Sequence, residues 1–296
     1  MRKFAVLGMA LALAGGLAAC SSSSKPASSA TTTSKPAPVT SPTDCGPVPP
    51  AASNFKPAVA DTLSVVTSLP GPGFWEGSDT DPTKVTSGYE YDIAKCMEAD
   101  FGLHKMSVRN VGFDAIVAGS ITNYDLALSQ ISITAARAKV VDFSTSYFQS
   151  NQGILMKAGK SISTLAQAKK LRWGVQSGTT AIDLLKSIGV NTPHTYEQLT
   201  DAYTALDAGQ VDAILIDTAI NLGEAARSNG KFHVVAQFNQ PGGPDQYGAV
   251  MPKGSTNVAA IDAVFKSMKD AGVLKRLATK DLTADPGTIP VIKISS

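Results

Sequence analysis

Several short stretches of this 296-residue chain carry side chains able to grip a small polar molecule: Phe74 and Trp75, Phe113, the run Gln130 to Thr134 with Ser132 inside it, Ser177 to Thr180, and Asp217. Together they offer aromatic faces, hydroxyl and amide groups and one carboxylate. A zwitterion asks for such a set, because its carboxylate needs N–H and O–H donors while its ammonium needs an anion and acceptors. Each stretch follows a segment that reads as a strand. In open α/β sheets ligands bind beyond the carboxyl ends of the strands, where loops vary and helix N-termini turn free N–H groups outward. Catalysis would need a placed acid or base. His104, His194 and His233 fall away from those strand ends, and no paired carboxylates, metal-spaced Cys/His cluster or glycine-rich phosphate loop appears. No enzyme activity, metal or cofactor is expected.

The elements that position these residues alternate strand and helix. Leu63, Val65 and Val66 predict a first strand over Thr62–Thr67, ended by a loop at residues 68–77 in which Pro70, Gly71, Pro72 and Gly73 forbid regular structure. Ile93, Met97 and Phe101 recur at helical spacing and predict a helix over 89–101, with Gly102 as its stop. Strands over 105–111 and 124–129 bracket a short helix at 113–119, and the apolar stretch 153–156 reads as a crossing into a second lobe. There the spacing predicts a helix capped by Ser163, a strand over 171–176, a helix opened by Ser177 to Thr180, and a helix from a capping box of Thr195 and Gln198. Val211 to Ile216 is an almost unbroken apolar run, as in a strand buried on both faces, and it ends at Asp217.

Ahead of this body, Arg2 and Lys3 precede an apolar run over 4–19, the order of a secretory signal peptide. The run is too short, and too rich in glycine, for a membrane span. Its end, Leu17, Ala18, Ala19 and Cys20, resembles the lipobox of bacterial lipoproteins, which implies cleavage before Cys20 and a lipid anchor on it, holding the protein to the outer face of the cell membrane. Residues 21–50 are almost all Ser, Thr, Pro, Ala and Lys, a composition that buries too little apolar surface to offset its ordering entropy. The predicted organisation is a signal peptide over 1–19, a lipidated tether over 20–60, a first lobe over 61–149, a second over 150–241, and a return to the first over 242–296. Removal of Arg2 and Lys3 leaves 24 basic residues against 24 acidic ones, with no basic stripe of the kind nucleic-acid binding requires. With Cys20 acylated, Cys45 and Cys96 remain, and an exported location leaves them free either to pair or to stay reduced.

Ser132, Ile133, Thr134, Arg137 and the run Val140 to Ser144 resemble the signature of family 3 solute-binding proteins, the amino-acid-binding components of ABC importers. Tyr91-Asp92-Ile93-Ala94, Phe113-Asp114-Ala115-Ile116, Ser177-Gly178-Thr179-Thr180, Gly209-Gln210-Val211-Asp212-Ala213 and Tyr247-Gly248 follow in the order of that family. The resemblance implies a two-lobed α/β fold of the type II periplasmic-binding-protein kind: two open mixed or parallel sheets, a hinge, and both chain ends in the first lobe. It implies that Arg137 pairs with the ligand α-carboxylate, helped by Ser132, Thr179 and Thr180, and that Asp217 accepts the α-ammonium. Phe113 would stack over the ligand, with Phe74 or Trp75 as the opposite wall. Gln130 stands where small residues often sit, and Gln176 where side-chain specificity varies. Two amides suggest a polar ligand such as glutamine, asparagine, glutamate or aspartate, bound by a monomer and passed to a permease. The same site would serve a sensor docking on a membrane kinase, and the fold also hosts dehydratase-like and cell-wall-active enzymes.

Overall fold

The computed structural model describes residues 45–282 and 286–294; the leader, Cys20 and most of the tract after it lie outside them. The first sheet grows from β1 (Thr62–Thr67), whose residues from Leu63 onward are all buried. Helix α1 (Tyr89–Asp100) follows, then β2 (Lys105–Asn110), the short α2 (Phe113–Val117) and β3 (Leu126–Ala127). A single 3-10 turn, Arg137–Lys139, precedes β4 (Val141–Phe143). β5 (Phe148–Ser150) leads the chain across to β6 (Gln152–Lys157) in the second sheet.

That second sheet collects β7 (Trp173–Gln176), β8 (His194–Tyr196), β9 (Ala213–Asp217) and β10 (Phe232–Asn239), with helices α3 (Leu165–Ala168), α4 (Thr180–Ser187), α5 (Leu199–Asp207) and α6 (Thr218–Arg227) between them. The chain recrosses through β11 (Asp245–Tyr247), antiparallel to β5, and enters the first sheet as β12 (Val250–Pro252) before α7 (Val258–Asp270) and α8 (Val273–Asp281). A last strand, β13 (Val291–Lys293), pairs in parallel with β10. The strand orders are β2-β1-β3-β12-β4 and β13-β10-β6-β9-β7-β8, with the β5–β11 ribbon as the paired crossing. β9 is buried along its whole length, as its apolar run predicts, because α-helices cover both faces of a sheet built from crossover units.

The fold differs from the sequence expectations at several points. Residues 45–60 are part of the body: Cys45 is bonded to Cys96 on α1, Pro50–Asn54 form a 3-10 turn, and the Phe55 ring stacks on Phe101 at 3.9 Å. Composition averaged over the tract hides one covalent bond and one aromatic contact. The chain end is not confined to the first lobe, since β13 lies on the edge of the second sheet. Thr195 is a strand residue paired with Val175, so α5 starts without a side-chain cap at Gln198. The capping box forms instead at α3, between Thr164 and Gln167, one residue after the expected Ser163. Among the described residues, no helix is long and apolar enough to cross a membrane.

Candidate functional site

Between the two sheets runs a narrow cleft of about 300 Å³. From the first sheet it is lined by Ser68, Pro70, Phe113, Ser129 and Gln130, and from the second by Gln176, Thr179, Leu199, Ile216, Asp217 and Ile220. Most of these positions stand at carboxyl ends of strands: Ser68 after β1, Gln176 closing β7, Asp217 closing β9. The walls of this cleft are drawn close together. Two glycines permit this approach. A Cβ on Gly223 of α6 would stand 2.6 Å from the Pro72 carbonyl oxygen, and one on Gly178 would stand 3.1 Å from Asp114 Cα, at a φ of +75° that already favours glycine.

Arg137 enters from the turn before β4 and is buried. Its Nη1 donates to the Ser132 carbonyl at 2.6 Å and its Nη2 to the Gly178 carbonyl at 2.9 Å, so one guanidinium holds a loop of each lobe. Its carbon lies 5.4 Å from the Phe113 ring centroid, a cation–π contact. It forms no ion pair with Asp142, which bonds Lys253 at 2.9 Å and the N–H groups of Gly254 and Ser255. Burial lowers the Arg137 pKa, and the nearby carboxylates of Asp217, Asp245 and Asp183 act against that shift.

Asp217 occupies the N-cap position of α6, yet its side chain makes no cap hydrogen bond. It is buried, and its Oδ1 has no hydrogen-bond partner. Burial pushes its carboxyl up to about 8, helped by the charge of Asp245, while the Tyr247 hydroxyl and the Gln152 amide face it and favour its ionised form. A charged group taken out of water holds its proton unless a partner compensates.

Other expected residues are placed less uniformly. Thr179 lines the cleft, with its Oγ1 donating to the Gln176 carbonyl at 2.7 Å. Thr180 opens α4, but its Oγ1 donates to Asp245 Oδ2 at 3.1 Å. Phe74 and Trp75 do not form the opposite wall. Phe74 is fully buried, edge-on to Tyr89 and Phe148, and Trp75 donates from Nε1 to Glu90 at 2.7 Å. An aromatic pair after a Pro/Gly loop reads the same whether it faces ligand or core, and here Pro70 and Ser68 take the wall.

Sequence reasoning missed Glu90, Ser68, Gln152 and Asp245. Glu90 lies in the first turn of α1, fully buried, and accepts from Trp75 Nε1, Tyr147 Oη, Gln130 Nε2 and the Gln130 backbone N–H. These bonds hold Gln130 at φ +51°, a left-handed conformation that costs a residue with a Cβ roughly 1–2 kcal/mol. Asp245 Oδ2 accepts from Gln152, Thr180 and Gln240, joining β11, β6 and α4 at the crossing. None of the four has a local signal, because each acts through partners far away in the chain.

Residues 75–283 match the family model of bacterial extracellular solute-binding proteins, family 3. The chain is 29% identical over 209 residues to the ABC transporter glutamine-binding protein GlnH of Bacillus subtilis, covering 67% of this chain and 74% of that protein. It is also 29% identical over 213 residues to the L-cystine-binding protein TcyJ of Escherichia coli K12, covering 69% and 77%. Among solved structures, an ancestral arginine-binding protein bound to glutamine superposes with a TM-score of 0.65 at 27% identity, covering 75% of this chain and 98% of that one. The cleft between two sheets joined by a crossing ribbon is thus the interlobe cleft of a type II periplasmic-binding-protein fold, and the chain belongs to the family 3 bacterial extracellular solute-binding proteins.

Proposed function

We propose that this protein captures a polar amino acid by closing its two lobes and delivers it to the permease of an ABC importer. One observation carries the reading: a buried carboxylate with an unpartnered oxygen, Asp217, lines a closed cleft, and a buried guanidinium bonded only to backbone carbonyls lies over Phe113 in the wall of that cleft. In this reading Arg137 exchanges its carbonyl partners for the ligand α-carboxylate, which its planar fork matches in two parallel bonds. Ser132, Thr179 and the N–H groups opening α4 at Thr180 complete that end, and Asp217 takes the α-ammonium. Phe113 covers the ligand, and Gln130 and Gln176 face its side chain. Relatives named for glutamine, cystine and arginine support an amino acid as the solute.

Contacts from both lobes favour the closed form, and that form docks on the permease. Micromolar capture corresponds to about 8 kcal/mol, within the reach of one bidentate pair, one ammonium–carboxylate pair and a few hydroxyl bonds. The lipobox-like run before Cys20 and the Ser/Thr/Pro tract behind it support a lipid anchor at the outer face of the cell membrane, where the protein acts as a monomer. A thermal-shift screen of the purified protein against the common amino acids tests the core of this reading, because a ligand bound only by the native state raises its melting temperature by mass action. The expected result is a rise with one or a few polar amino acids, lost in Arg137→Ala. A flat response to all of them would sink it.

A further inference from the structure

The chain continues past the end of the family match at residue 283. Just before that point it is fixed to the first lobe: Lys280 of α8 pairs with Asp92 of α1, and Leu282 stands close to Gly73 in the loop after β1. By Pro286 it is on the second lobe. Gln237, buried in β10, donates its backbone N–H to the Pro290 carbonyl at 2.8 Å and its Nε2 to the carbonyls of Pro286 at 2.9 Å and Ile289 at 3.2 Å. Those carbonyls only accept, which fixes the orientation of the amide. β13 then pairs with Gln237 to Asn239, and Ile292 is buried in one cluster with Trp173, Ala236 and Phe238. The same Gln237 sits at the hinge. Its Oε1 accepts from Nδ2 of Asn151, the residue between β5 and β6, at 3.3 Å, and lies 3.2 Å from Oγ1 of Thr218, which opens α6. The Thr218 N–H closes the group by donating to the Asn151 carbonyl at 2.7 Å. A link from α8 thus lands where the two strand crossings enter the second sheet.

We infer that residues 286–294 are a strap, added outside the family match, that limits how far the lobes open and so favours the closed form. A chain spans at most about 3.6 Å per residue, so Pro286 stays within roughly 14 Å of Leu282 however the lobes move. Such a link removes arrangements from the open ensemble and none from the closed one, which already satisfies it, as a cross-link acts on the looser of two states. Both lobes must touch the solute, so favouring closure tightens capture without a contact to the solute itself. The inference rests on the lobe closure proposed above and is independent of which solute is bound. A strand that merely covered the edge of β10 would do so equally well on a longer link.

The test lengthens the link and keeps the strand. Truncation after Leu282 would strip Ile292 from the buried cluster, whereas about twelve Gly and Ser residues inserted after Leu282 form flexible coil and leave β13 able to pair. The insertion is made in the full chain and in Arg137→Ala, which lacks the guanidinium bonded to both lobes. Spin-labelled unnatural residues replace Ser120 in the first lobe and Lys186 in the second, both exposed, and pulsed electron paramagnetic resonance reads the distance between them without added solute. Arg137→Ala should lengthen that distance, and the insertion should lengthen it further by more than about 2 Å, the scale that separates movement of whole elements from side-chain motion. If the insertion detaches β13 the link is released all the same, so the expectation stands. A distance that is longer in Arg137→Ala but unmoved by the insertion overturns the strap and leaves hinge closure intact. One distance shared by the parent and all the variants overturns the strap together with the closure beneath it.

Discussion

Arg137 and Asp217 are both buried where the two lobes meet, yet the protein treats them in opposite ways. The guanidinium is bonded to two carbonyls, one in each lobe, while the carboxylate keeps an oxygen without a partner and a raised pKa. The contrast separates two jobs. A cation tied to neutral carbonyls holds the lobes in register and can trade those bonds for a carboxylate, because each exchanged bond then has an ionised acceptor as well as an ionised donor. A buried carboxylate with one oxygen left without a partner destabilises the protein that holds it, and regains that energy when an ammonium arrives. Such a group is a sharper marker of a binding site than a well-bonded one.

Substitution at the two positions breaks the comparison most directly. Arg137→Ala is expected to weaken ligand binding by roughly 100-fold or more, the scale of losing one partner of a desolvated charge pair, and to lower the melting temperature of the ligand-free protein modestly as two carbonyl bonds go. Asp217→Asn should weaken binding comparably, with the opposite effect on the ligand-free protein. The Asp217 carboxyl ionises near pH 8 when folded and near its ordinary value of about 4 when unfolded. Between those values the folded chain holds a proton that the unfolded chain has lost. Stability from this group is therefore full below about pH 4, falls as pH rises towards about 8, and is level above. Asn cannot ionise, so the variant should melt higher than its parent at pH 8 and close to it at pH 4. Calorimetry at the two pH values, paired with ligand titration, checks both halves. Equal pH dependence in parent and variant would remove Asp217 from this role.

The next effect tests the closeness of the walls. Gly223 sits inside α6, where alanine raises helix stability by about 0.8–1 kcal/mol, but its added Cβ would stand 2.6 Å from the Pro72 carbonyl oxygen across the cleft. Gly223→Ala should therefore weaken ligand affinity by about tenfold, the scale of the 1–3 kcal/mol that overpacking costs. Small-angle X-ray scattering with and without ligand reads the closure directly. Undiminished affinity would mean that α6 and the loop at Pro72 need not meet in the bound form.

How much of this could be read in advance follows the same division between local and distant causes. The strand under β1, the buried run of β9, and the loop holding Ser132 were legible because alternation, apolar runs and turn residues are local signals. Asp217 could be singled out because it ends a strand. Glu90 could not, since nothing near it announces that Trp75, Gln130 and Tyr147 converge on its carboxylate. Ser68 was hidden for a related reason: an unpartnered hydroxyl is defined by what surrounds it. Phe74 and Trp75 were misread as ligand wall because loop position was given weight that burial overrides. Residues 45–60 were misread because a compositional average cannot register one disulfide and one stacked pair of rings.

The smallest effect concerns the rim. Arg227 on α6 bonds Asp79, in the loop before α1, at 2.5 Å, and bonds Glu224 within its own helix. The Asp79 bond joins the two lobes and is made only when they meet, whereas the Glu224 bond survives opening. Replacing Arg227 would confuse the two by stripping the partner from Glu224, so Asp79→Ala is the cleaner variant. Nearly half of the Asp79 side chain and a third of that of Arg227 are exposed, and exposed ion pairs contribute only about 0.2–1 kcal/mol. Ligand affinity should therefore fall by roughly two- to fivefold at low salt, through faster release, because the pair exists in the closed form and not in the encounter. Raising the salt to about 1 M, where the screening length is near 3 Å, should bring parent and variant together. Stopped-flow release rates at the two salt concentrations check this, and a difference that persists at high salt would mean that Asp79 acts through packing of its loop instead of through its charge.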